Sequence, residues 1–162
     1  MKTFLLYLVS ILTGSVLLTP ASAQTEPDKR KKQFNLESGL ALQGYDPVAY
    51  FSQHKAVKGT AANSHAHQGV TYRFASAQNL EAFKGNPAKY EPAYGGWCAY
   101  AMGATGEKVD IDPETFKITD GKLNLFYNKF FNNTLPKWNK DEDNLKGKAD
   151  ASWATFYKPA GA

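Results

Sequence analysis

The chain has 162 residues, a formal net charge of +4 and a single cysteine, Cys98. One cysteine excludes an intramolecular disulfide framework, and cations scattered along the chain do not make the concentrated basic patch that marks a nucleic-acid binder. Tyrosine and phenylalanine are abundant, so a small core closed by aromatic rings is expected.

At the amino terminus Lys2 precedes an apolar stretch from Phe4 to Leu18, followed by Pro20 and the small-x-small site Ala21-Ser22-Ala23. This is the pattern of a secretory signal peptide, residues 1–23. Thr13, Gly14 and Ser15 interrupt the stretch and no charged stop-transfer run follows, so no membrane span is expected after cleavage. The expected location is periplasmic or secreted. Cleavage removes Lys2, leaving a charge of +3 on a chain of ordinary length for one core. Residues 24–41 read as a polar linker, with Lys29-Arg30-Lys31-Lys32 as a solvated cluster.

Gly44 to Phe51, GYDPVAYF, reads as an Asp-Pro turn leading into a short apolar strand. Asn63–His67 and Val70–Phe74 then flank Gln68-Gly69, the length of a two-residue hairpin turn. In that register His67 faces Val70 and His65 faces Tyr72, and the period of two puts His65, His67, Val70, Tyr72 and Phe74 on one face. Ser76 is placed to cap a short helix over 77–84, which Gly85 and Pro87 stop, and Pro87 can open another helical turn. In YGGWCAYAM, residues 94–102, the glycine pair gives a flexible lead into either a short helix or a buried strand. The acidic run 110–114 lacks the glycine and terminal glutamate of a calcium loop and reads as a solvated turn.

The second hairpin is built around Asp120-Gly121, with Ile118 opposite Leu123 and Phe116 opposite Leu125. Residues 129–140 and 141–157 read as polar helical segments that wrap the core. Hairpins with short helices between and after them predict an α+β fold: a small two-hairpin antiparallel sheet, short helices packed on it, and helical carboxy-terminal segments.

Three kinds of chemistry follow from these residues. Cys98, at the start of a possible helix, would have unpaired N–H groups favouring its thiolate, and Met102 lies four residues on. His65 and His67 project from one strand face, so Cys98, His65, His67 and Met102 form a candidate site for a soft or borderline metal, copper before zinc. The second reading is a thiol-dependent enzyme or redox protein using Cys98. The third is a structural or interaction module in which Cys98 is a small buried hydrophobe.

The ordered motifs GYDPVAYF, GVTYRFASAQNLEAFKGNPAKY and YGGWCAYAM resemble the YHS domain family in its exported single-domain bacterial form. The resemblance implies a YHS-like domain over residues 42–128, a packed helical extension over 129–162, and a presumptive metal-binding role. Metal-associated YHS forms carry one cysteine after Asp-Pro-Val and another at the head of the following helix. Here Ala49 occupies the first position, and Ala75, Ser76 and Asn79 leave the second without a thiol. Cys98 instead resembles the cysteine of the exported subgroup's Tyr-Gly-Gly-aromatic-Cys-Ala motif.

Overall fold

The computed structural model describes residues 25–159, so the signal-peptide reading of residues 1–23 lies outside the described residues. Within them the fold is α+β. None of the described helices is long and apolar enough to cross a membrane.

The segment expected to be a linker is ordered. Helix α1 spans Glu26–Gln33, with proline in its first turn, acidic Glu26 and Asp28 at its start and basic side chains at its end, all of which favour a helix in this direction. Arg30 is buried on it, so the basic cluster is not wholly solvated. Strands β1 (Leu36–Glu37) and β2 (Leu40–Ala41) follow as a tight antiparallel pair.

The Asp-Pro segment is a second correction. Residues Pro47–Ser52 form helix α2, where a strand was expected. Asp46 is its N-cap, its carboxylate accepting from the Val48 and Ala49 N–H groups, and Pro47 occupies the first turn. Capping by Asp followed by Pro outweighs the strand preference of the aromatic residues behind them.

The histidine hairpin has the expected register. Strands β3 (Thr60–His67) and β4 (Val70–Phe74) pair His67 with Val70 and His65 with Tyr72. Gln68 and Gly69 both have positive φ, as this turn requires. Helices α3 (Ala77–Gly85), capped by the Ser76 side chain, and α4 (Pro87–Tyr90) come next, as their caps predict.

Of the two readings left open for YGGWCAYAM, the helix is realised. Helix α5 spans Ala99–Ala104, and Cys98 sits at its N-cap while bridging Leu125 in parallel. Strands β5 (Asp112–Thr119) and β6 (Lys122–Phe126) pair Ile118 with Leu123 and Phe116 with Leu125. The acidic run enters β5 instead of forming a free turn. Asp110 is engaged by Lys129 and Asn35, contacts that hold its carboxyl below the usual range against the opposing effect of burial.

The two hairpins belong to separate sheets. The first sheet has the order β1-β2-β4-β3 and is mixed, because β2 runs parallel to β4 through Leu40 and Thr71. The β5-β6 pair stands alone. After it the two expected helical segments appear as α6 (Leu135–Asn139) and α7 (Glu142–Phe156), but the first is shorter than expected, because β7 (Asn128–Lys129) and β8 (Asn132–Asn133) form a miniature hairpin before it.

Two apolar clusters join these parts. One gathers Tyr50, Tyr72, Phe74, Phe83, Cys98 and Leu125. The other gathers Met102, Phe126, Trp138, Leu145 and Ala149 beneath α5, α6 and α7. Gly103 lets α5 and α7 approach closely, since a Cβ there would lie 2.3 Å from the Leu145 carbonyl oxygen.

Candidate functional site

Cys98 is fully buried. Its sulfur accepts a hydrogen bond from the Tyr127 N–H at 3.3 Å and lies 3.5 Å from Thr134 Oγ1. The Thr134 hydroxyl donates to the Tyr127 carbonyl, so the thiol belongs to a local polar knot tying α5 to the end of β6. A depression of about 400 Å³ overlies this knot, but the exposure of Cys98 beneath it is 0%. Thiol reagents therefore have no direct approach to the sulfur.

The histidines are committed elsewhere. Both rings pack edge-on against Phe83, with centroids 6.3 Å away for His65 and 5.9 Å for His67. Met102 lies in the other cluster from Cys98. Among the described residues no group of three or more His, Cys, Asp or Glu side chains is gathered to hold a metal ion, so Cys98, His65 and His67 do not form one. The physical reason is the hairpin face: it turns both imidazoles toward Phe83, while the thiol is fixed at the head of α5 by backbone bridging to Leu125. The structure therefore does not bring the thiol and the two imidazoles together as one donor set.

In the native protein Ellman's reagent is expected to leave Cys98 unlabelled over the time in which the denaturant-unfolded chain labels completely. Rapid labelling of the native chain would show that the thiol is reachable and would restore the thiol-enzyme reading.

A different site emerges where the two halves of the fold meet. A cleft of about 600 Å³ is bounded by α1, the turn between β3 and β4, residues 87–95, the β5-β6 hairpin and α7. At its side Arg30 and Glu91 form an ion pair across 61 residues of chain. Arg30 is 4% exposed, its guanidinium stacks on Phe34 with 4.3 Å from Cζ to the ring centroid, and Tyr72 donates to Glu91 at 2.7 Å. Arg30 Nε is buried and has no hydrogen-bond partner among the described residues.

The electrostatics of the group are coherent. Burial alone would lower the Arg30 pKa, but the Glu91 charge and hydrogen bonds to Tyr157 and Glu91 outweigh it and raise it, so the guanidinium stays charged. Burial, reinforced by Glu91, drives the Tyr72 phenol well above its ordinary value, which keeps it a donor. His67, on the cleft wall, is pushed down by burial, with Glu91 opposing and Arg30 and His65 assisting. Near neutral pH this favours an uncharged imidazole beside an ion pair that is already balanced.

Aromatic side chains supply much of the remaining surface. Phe34, Trp153 and Tyr157 form an edge-and-tilt cluster with centroid separations of 5.6–5.9 Å. Tyr94 donates to Asp150 at 3.0 Å. Gly95, at positive φ, makes room for the indole, because a Cβ there would lie 2.7 Å from Trp153 Cη2. On the opposite side Lys122 is exposed and donates to the Ala88 carbonyl, with no ion-pair partner among the described residues, whereas Lys146 is paired with Asp120.

Arg30, Glu91 and Trp153 were not legible as site residues. The spacing of Arg30 and Phe34, four apart, was the available signal that this face of α1 is buried. Nothing local marks Glu91 as its partner. No protein-family model, curated protein or solved structure matches this chain.

Proposed function

We propose that this protein is an exported, YHS-like binding module that takes a small organic anion with an apolar body in the cleft beside Arg30 and Glu91, and that Cys98 serves the fold. The observation that carries this reading is the cleft itself: about 600 Å³, walled by Phe34, Tyr94, Trp153 and Tyr157, with a buried and internally balanced ion pair at its side. Ligand sites combine an apolar wall with a few placed polar groups in this way. The preference for an anion rests on charge. The lining carries Arg30, Lys122 and Lys146 against Glu91 and Asp150, a net excess of one cation, and Lys146 shares its charge with the exposed Asp120 outside the cleft.

The amino-terminal pattern supports export, with a mature chain beginning at Gln24. Both carboxylates of the cleft are engaged, Glu91 by Arg30 and Asp150 by Tyr94, so its residues serve recognition.

A fluorescence titration with 1-anilinonaphthalene-8-sulfonate, an apolar anion, tests the reading, with benzoate as competitor. Saturable one-to-one binding is expected. Lys122→Gln should weaken it about fivefold, the equivalent of roughly 1 kcal/mol for one exposed charge. Trp153→Ala should weaken it further by removing the aromatic wall. Non-saturable binding, or saturable binding that neither substitution changes, would remove the cleft as the site.

A further inference from the structure

The miniature hairpin β7-β8 has no role in the cleft. Its strands pair Asn128 with Asn133 and Lys129 with Asn132, which leaves Phe130-Phe131 as a two-residue turn. Both phenylalanines have positive φ, 51° and 59°. That conformation suits Asn-Gly and is sterically unfavourable for a residue with a large side chain. Both rings face solvent, with exposures of 88% and 112%.

The tip is held firmly from below. Asn128 donates to Thr115 Oγ1 at 2.9 Å, Lys129 pairs with Asp110 at 2.9 Å, and the Thr134 N–H donates to the Tyr127 carbonyl at 3.0 Å. Lys137 donates to Asn132 Oδ1 at 2.8 Å. The rings are thus presented on a braced turn. Around them, residues 128–140 include Lys129, Lys137 and Lys140, all exposed, and no Asp or Glu. Asp110 is paired with Lys129, and the acidic residues Asp141, Glu142 and Asp143 follow this segment at the start of α7, where Glu142 is paired with Lys117.

We propose that the Phe130-Phe131 tip is a membrane-docking wedge that inserts its two rings into the interfacial region of an anionic phospholipid bilayer while the lysines behind it meet the headgroups. A projecting pair of rings backed by cations has the apolar and electrostatic components that drive interfacial binding. A second copy is a poorer occupant. Two phenylalanines present at most a few hundred Å² per chain, below the about 800 Å² per partner of a stable interface. The strain of placing phenylalanine where Asn-Gly fits best is the local signature of a function outside folding.

The test compares the wild-type chain with F130N/F131G, a double substitution whose residues suit the turn and should preserve or raise stability. Both are purified from an exporting host, so they carry the same amino terminus. Sedimentation with vesicles of phosphatidylcholine mixed with phosphatidylglycerol should show partitioning weakened at least about tenfold in the variant. A second variant, F131W, reports immersion directly: its new indole should be quenched by brominated phosphatidylglycerol vesicles and not by brominated phosphatidylcholine alone. Equal partitioning of wild type and F130N/F131G, or no quenching in F131W, would overturn the proposal. So would a wild-type dimer in sedimentation equilibrium that the double substitution abolishes, since that would assign the tip to self-association.

Discussion

Asp46→Ala is expected to lower the unfolding free energy by about 3–5 kcal/mol, read from urea denaturation followed by circular dichroism with an unchanged dependence on denaturant. Asp46 is 0% exposed, and four N–H donors converge on its carboxylate. One oxygen accepts from Val48 N at 2.8 Å and Ala49 N at 3.3 Å. The other accepts from Ala75 N at 2.8 Å and the Asn79 side-chain amide at 2.7 Å. A single side chain therefore starts α2 and fastens it to the junction between β4 and α3. Alanine removes every acceptor and leaves buried backbone donors without partners, which is the costly side of hydrogen-bond loss.

Asp46→Asn separates that loss from simple capping. The amide oxygen can still accept from Val48 and Ala49, but its NH₂ would confront the donors of Ala75 and Asn79. Rotation of the Asn79 amide would relieve one of these conflicts. About half the alanine effect is expected. If both substitutions cost less than about 1 kcal/mol, the convergence on Asp46 contributes little and the junction must be held by apolar packing alone.

The same residue shows why part of the fold was legible and part was not. Both long hairpins could be read because Gln68-Gly69 and Asp120-Gly121 impose the positive φ values that fix register within a few residues. Asp46-Pro47 was equally local, yet it carries two meanings, turn and helix cap, and the choice depends on donors contributed by Ala75 and Asn79 about thirty positions away. Helix α1 had its signals in sequence, with proline and acids at its start and bases at its end, but a charged run also describes a solvated tail. Its burial comes from tertiary packing of Arg30 and Phe34.

The site was less legible than the fold for the same reason. The sequence draws attention to Cys98, His65 and His67 because their chemistry is recognisable from residue type. The structure gives Cys98 a backbone donor and gives the imidazoles a phenylalanine edge. The cleft is made instead by common residue types meeting across long separations, with Arg30 and Glu91 61 positions apart. The turn at Phe130-Phe131 was hidden because phenylalanine contradicts the residue preference by which such turns are recognised.

Arg30 and Glu91 supply the other large expected effect. Arg30→Met and Glu91→Gln should each destabilise the protein by about 3 kcal/mol, because each leaves its partner's charge in a largely dry environment. Arg30 and Glu91 side chains are 5% and 17% exposed, so solvent screens the surviving charge poorly. The double substitution removes both charges, keeps a flexible apolar chain against Phe34, and leaves an amide oxygen to accept from the Tyr72 hydroxyl. Its cost should therefore fall below the sum of the single costs by about 2–3 kcal/mol in a double-mutant cycle. Additive losses would mean that the two side chains act through separate packing contacts. The cycle also divides structural from recognition roles at the cleft: a large coupling energy accompanied by unchanged anilinonaphthalenesulfonate affinity in the folded double variant would assign the pair to joining α1 to the rest of the fold. Coupling together with weakened affinity would show that the same pair shapes the binding surface, since Lys122 and Trp153 remain in place to hold the probe.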